Sequence, residues 1–85
     1  MRIRKQFVQL AARWYTRNGM LDHIGRHGEI DINAESMKRL RAELHDCIKD
    51  ALNHNDPDLH ELMSFLVWTE YAIEFVEYFQ TKMFD

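Results

Sequence analysis

Apolar residues recur at helical spacing along nearly the whole chain. Ile3, Phe7, Leu10, Ala11 and Trp14 fall at i, i+4, i+7, i+8 and i+11, which is one face of a helix. Val8 and Tyr15 widen that face, while Arg4, Lys5, Arg13 and Arg17 lie mostly elsewhere on the wheel. Asn18-Gly19 is a natural stop, because both residues tolerate the left-handed conformation that ends many helices. A first helix is therefore predicted over residues 3–18. Met20, Leu21 and Ile24 resume a short apolar pattern that Gly25 and Gly28 interrupt. Residues 20–26 read as a weaker helical extension or a separate turn.

The second helix has a legible start. Asn33 can cap free N–H groups with its side-chain oxygen, and Ile32 with Met37 matches a hydrophobic staple. Met37, Leu40, Leu44, Cys47, Ile48 and Ala51 then form one seam, with charged residues on the other faces. This helix is expected over residues 34–54. The third begins at Asp56-Pro57-Asp58, an N-cap, a proline at the first position and an acid in the first turn. With no later Gly or Pro it can run over residues 57–82, roughly 39 Å at 1.5 Å per residue. The short linker between the two predicts an antiparallel hairpin. The expected fold is all-α: three helices, the second and third forming a long hairpin and the first packed across it. Residues 1–85 read as one domain.

The third helix carries more apolar surface than one side can hold. At 100° per residue from Leu59, three stripes appear. Leu59, Leu62, Leu66 and Ile73 form the first; Phe65, Ala72, Val76, Phe79 and Met83 the second; Trp68, Tyr71, Phe75 and Tyr78 the third. Glu70, Glu74 and Glu77 share the remaining narrow strip. A surface helix needs a stripe a little over ~100° wide, and roughly 250° is apolar here. Two neighbouring helices can cover part of this. The rest calls for a second copy, a partner protein or an overfull core. Tyrosines at i and i+7 beside Trp68 suit an interface, where the ring is buried and the hydroxyl stays hydrogen-bonded.

Charge is polarised along the chain. Residues 1–28 carry six Arg/Lys against one acid, residues 29–55 four against six, and residues 56–85 one against seven. One explanation is attraction between a basic first helix and an acidic last one, within a chain or across a dimer. The other is a basic surface, Arg4, Lys5, Arg13 and Arg17, facing nucleic acid or an acidic protein. Arg2 and Arg26 extend that set, and Trp14 and Tyr15 interleave with it as in backbone-tracking surfaces. Trp14, however, sits on the apolar face and reads as core.

Candidate chemistry is sparse. His23 and His27 stand at i, i+4, a spacing that can hold a metal, but Gly25 and Arg26 lie between them. Surface histidines are the expectation, with no metal and no cofactor. The lone Cys47 excludes an intrachain disulfide and reads as a small buried hydrophobe. No phosphate loop or nucleophile context is present, and Glu70, Glu74 and Glu77 lack the Glu-x-x-His companion of a di-metal helix. There is no apolar run long enough for a membrane span and no secretory h-region, so a cytoplasmic setting is expected. The chain is read as a non-enzymatic protein-binding module, of the adaptor or inhibitor type found among phage and mobile-element proteins. Trp68, Tyr71, Phe75 and Tyr78 are its expected anchors, and its partner another protein or a second copy, as a homodimer. The alternative is a small nucleic-acid-binding regulator using the basic N-terminal helix.

Overall fold

A computed structural model describes residues 4–28, 30 and 32–84, with backbone alone at 18, 23, 25, 27 and 80–84. Helices α1 (Lys5–Asn18), α2 (Asp22–His27), α3 (Ala34–Asn53) and α4 (Leu59–Phe84) follow one another. Three are long, and α2 is the short element expected after Gly19. Ile3 and Arg2 lie outside the described residues, as do the side chains of His23, His27 and Met83.

Helix ends form where the local chemistry predicts. Gly19 adopts φ +77°, and its N–H donates to the Tyr15 carbonyl, closing α1. Leu21 follows with φ +59°, an unusual conformation for a residue bearing a Cβ. Left-handed backbone costs such a residue about 1–2 kcal/mol. Burying the leucine, which is 1% exposed, offsets that at about 1.5–3 kcal/mol. Asn33 caps α3, its side-chain oxygen accepting the Ser36 N–H at 2.9 Å. Asp56 accepts the Asp58 N–H at 2.8 Å, as an N-cap does for the second residue on. Residues 57–58 form a turn, and regular α4 begins at Leu59 rather than at Pro57.

The hairpin of α3 and α4 is the closest-packed pair of elements, and α1 packs closely on α2. Ion pairs set the hairpin's antiparallel register: Arg41–Glu70 at 3.6 Å and Lys38–Glu77 at 3.2 Å. Helix α1 lies across the hairpin and meets α4 more sparsely, chiefly through large rings. Phe7 stacks flat on Phe65 with centroids 4.4 Å apart, and Trp68 tilts against both. The core gathers Phe7, Leu10, Ala11 and Trp14 with Met37, Leu40, Leu44, Cys47 and Ala51, and with Leu62, Phe65 and Ile73. Thr69 is also fully buried, and its hydroxyl donates to the Phe65 carbonyl one turn back.

The molecule measures 46 × 24 × 18 Å. Its radius of gyration, 13.3 Å, exceeds the ~12 Å of a compact chain this long, consistent with a long α4 that its neighbours cover only in part. No helix among the described residues is long and apolar enough to cross a membrane.

Leu44 is wholly enclosed at the centre of the α3 seam. Leu44→Ala is expected to lower unfolding free energy by about 2–5 kcal/mol in urea titrations followed by circular dichroism. Lys49→Ala, on the exposed back of α3, should stay within ~0.5 kcal/mol of wild type.

Candidate functional site

Which parts of α4 remain open depends on where α1 and α3 attach. Helix α1 attaches at the start of α4. Trp14 is fully buried, and its indole N–H donates to Asp58 Oδ2 at 3.1 Å. Arg13 grips the same carboxylate at 3.0 Å and reaches Glu61 at 3.3 Å. Arg17 pairs with Asp56 and lies over the Trp14 ring, 4.5 Å from its centroid. The N–H of Asp58, and then the Arg17 guanidinium, hold the Asp56 carboxyl below the usual aspartate range. The attraction foreseen between the basic first helix and the acidic last one is thus present within one chain.

Arg13 and Arg17 are therefore committed to internal partners. Arg4 and Lys5, the other two residues of the expected basic surface, are exposed at the start of α1. Farther along, Arg26 pairs with Asp22 at 2.7 Å and donates to the Tyr15 hydroxyl at 2.6 Å.

On α4, the buried positions Leu62, Phe65, Thr69 and Ile73 mark the side facing the core. Their wheel angles run from about −40° to −120°, and α1 extends the coverage to Trp68 near 180°. Among the described residues, no other helix packs over the sector from about 40° to 160°. It presents Tyr71 at 68% exposure, Phe75 at 62%, Tyr78 at 56% and Val67 at 54%. Met63 extends it toward the helix start, and Phe79 toward the end, each about half exposed. Phe75 and Phe79 tilt together with centroids 4.7 Å apart, and Tyr78 stands edge-on to Phe79.

Of the four expected anchors, Tyr71, Phe75 and Tyr78 lie on this open face. Trp68 is half-buried and forms its border, packed on Phe7 and Phe65. Met63 and Val67 belong to the face although the apolar stripes omitted them. On the wheel Val67, at about 80°, falls between the glutamates and Tyr71, which was the available signal, whereas Met63, at about 40°, falls within the glutamate strip. The glutamate strip is not wholly solvated, since Glu70 and Glu77 pair with α3. Glu74 is exposed.

Elsewhere, a cavity of about 360 Å³ is lined by Asp22, Ile24, Ile30, Ser36, Arg39, Leu40 and Glu43. Among the described residues its lining brings neither a thiol nor an imidazole to those carboxylates, and the Ser36 N–H is already used by the α3 cap. Among the described residues no group of three or more His, Cys, Asp or Glu is placed to hold a metal ion. Cys47 is buried, with its thiol 3.5 Å from the Met20 sulfur. Burial, with Glu43, Asp46 and Asp50 nearby, pushes its pKa up to about 12.

No protein-family model, curated protein or solved structure matches this chain. The geometry of α4 therefore carries the functional reading alone.

Two outcomes are expected at the clamp. Asp58→Ala strands a buried indole N–H and should cost about 1–3 kcal/mol in thermal or urea unfolding. Asp56 has a folded pKa below its unfolded value, so its contribution is present above ~3.9 and lost as pH falls through the folded value. Asp56→Asn should therefore lower stability near neutral pH and flatten the acid limb of a stability–pH curve. A thiol reagent should leave Cys47 unmodified in the folded chain and label it once urea unfolds the protein.

Proposed function

We propose that this protein is a non-enzymatic protein-binding module whose working surface is the open face of α4. The uncovered sector carries the reading. A domain of this size has limited apolar material for its own core, yet it leaves three aromatic rings more than half exposed on one helix face. Exposed apolar patches beyond a few hundred Å² on small proteins mark interaction sites. Tyrosine suits that task, because its ring supplies apolar area and its hydroxyl tolerates either water or a partner. Adaptor or inhibitor action then follows from occupying a surface rather than from bond chemistry. A cytoplasmic setting belongs to the same proposal, and the single buried thiol, which needs no oxidising compartment, agrees with it.

The nucleic-acid alternative draws less support. Its two central arginines, Arg13 and Arg17, are bound to Asp58, Glu61 and Asp56, and Trp14 is enclosed. Among the described residues of that set, Arg4 and Lys5 are the cations left without an ion pair, and two charges offer little for tracking a phosphate backbone.

Tyr71→Ala/Tyr78→Ala removes the two exposed hydroxyl-bearing rings without touching the core. The double variant should keep wild-type helicity by circular dichroism. It should lose complexes, with itself or with another protein, that the wild-type chain forms in sedimentation velocity and in affinity capture followed by intact-complex mass measurement. Identical complexes for the two chains, or none for either, would reject the reading.

A further inference from the structure

The geometry points to a second copy of this chain as the occupant of the α4 face, with the two α4 helices packed side by side and parallel. This rests on the docking reading above and names its partner.

The size of the patch fits self-association. An aromatic side chain buries ~150–250 Å², so Met63, Val67, Tyr71, Phe75, Tyr78 and Phe79 at their observed exposures offer on the order of 600 Å². A stable interface takes ~800 Å² per partner, a gap that flanking residues such as His60 and Ser64 can close. The spacing fits as well. Trp68, Tyr71, Phe75 and Tyr78 step by three, four and three residues, the repeat that keeps one seam facing a helix packed at a shallow angle.

Charge then selects the orientation. Although α4 is acidic, Glu61, Glu70 and Glu77 are each paired with a cation of α1 or α3. From Trp68 to Tyr78 the seam is uncharged, so a second α4 meets little repulsion there, and the next position at that spacing is Lys82. Glu74, on the α3 side of the seam, is exposed and in no ion pair among the described residues. The opposite flank is bordered by α1, whose first turn carries Arg4 and Lys5, both exposed and in no ion pair among the described residues. Phe7 lies on Phe65 and Trp68, which brings that first turn to within about a helical turn of Glu74 along α4. In a parallel pair related by a two-fold axis along the helices, the Glu74 flank of one copy faces the α1 flank of the other. Acid then meets base twice. In an antiparallel pair the two Glu74 flanks face each other, acid against acid.

The test uses single substitutions in the full chain, with wild type as control because its Cys47 is buried. Sedimentation equilibrium should show a dimer. Under mild oxidation Tyr71→Cys and Tyr78→Cys should both form a symmetric disulfide, because a parallel pair sets every seam position against itself. Lys49→Cys, on the back of α3, should not. Glu74→Lys alone and Lys5→Glu alone should each weaken the dimer roughly tenfold, since the pair occurs twice, and the double exchange should restore it. The two seam sites are ~10 Å apart along the helix, so an antiparallel pair cannot bridge both. A dimer in which only one or neither cross-links overturns the parallel arrangement and leaves the docking reading standing. A monomer at all concentrations overturns self-association. If that monomer still captures a foreign protein that Tyr71→Ala/Tyr78→Ala does not, a foreign partner takes the face; if it captures none, the docking reading falls too.

Discussion

The hydrogen bond from Trp14 to Asp58 sets where everything else on α4 can be covered. A buried indole N–H needs an acceptor, and Asp58 at the start of α4 supplies it. Arg13 and Arg17 bind the neighbouring acids from the same turn of α1. That anchors the C-terminal end of α1 at the N-terminal end of α4, so the two run antiparallel. With 14 residues α1 spans ~21 Å, whereas the 26 residues of α4 span ~39 Å. Coverage by α1 reaches Phe65 and Trp68 and then ends. Phe75 and Phe79 continue the same apolar surface past the end of α1, and they are exposed.

Some of the charges of the chain join its helices in this assembly. Surface ion pairs contribute only ~0–1 kcal/mol each, so their value here is directional more than energetic. Arg13 and Arg17 orient α1, while Lys38 and Arg41 fix the register of α3 along α4. A helix rich in acid thereby presents a nearly uncharged face. Its exposed rings are bordered by Glu74 on one side and by the basic first turn of α1 on the other. Part of the polarity that suggested an acidic or nucleic-acid partner, Arg13 and Arg17 with Asp56, Asp58 and Glu61, holds the molecule together.

The helices and their ends were readable because their causes are local. Asn33, Asp56, Gly19 and Gly28 act through their own backbones and nearest neighbours: Asn33 starts a helix, Gly19 and Gly28 end one, and Asp56 caps the turn that leads into α4. Periodicity likewise identified the buried seam of α3, because one face of a helix can be counted along the chain. Harder to read was which of three apolar stripes on α4 would be covered. Thr69 is fully buried although it is not apolar, because it lies between two core-facing stripes and satisfies its hydroxyl on its own helix. Met63 and Val67 are exposed although they are apolar, because no helix among the described residues crosses their sector.

The amino-acid sequence by itself determined an all-α chain with a capped hairpin, and an α4 with more apolar surface than two helices can hide. These follow from backbone chemistry and side-chain spacing within a few residues. Only the tertiary structure decided that Trp68 closes the core while Tyr71, Phe75 and Tyr78 stay open. That division depends on the position of α1, and α1 is placed by Trp14 and its two arginines reaching acids some forty residues away. No periodic pattern encodes such a pairing, because it exists only when distant segments meet.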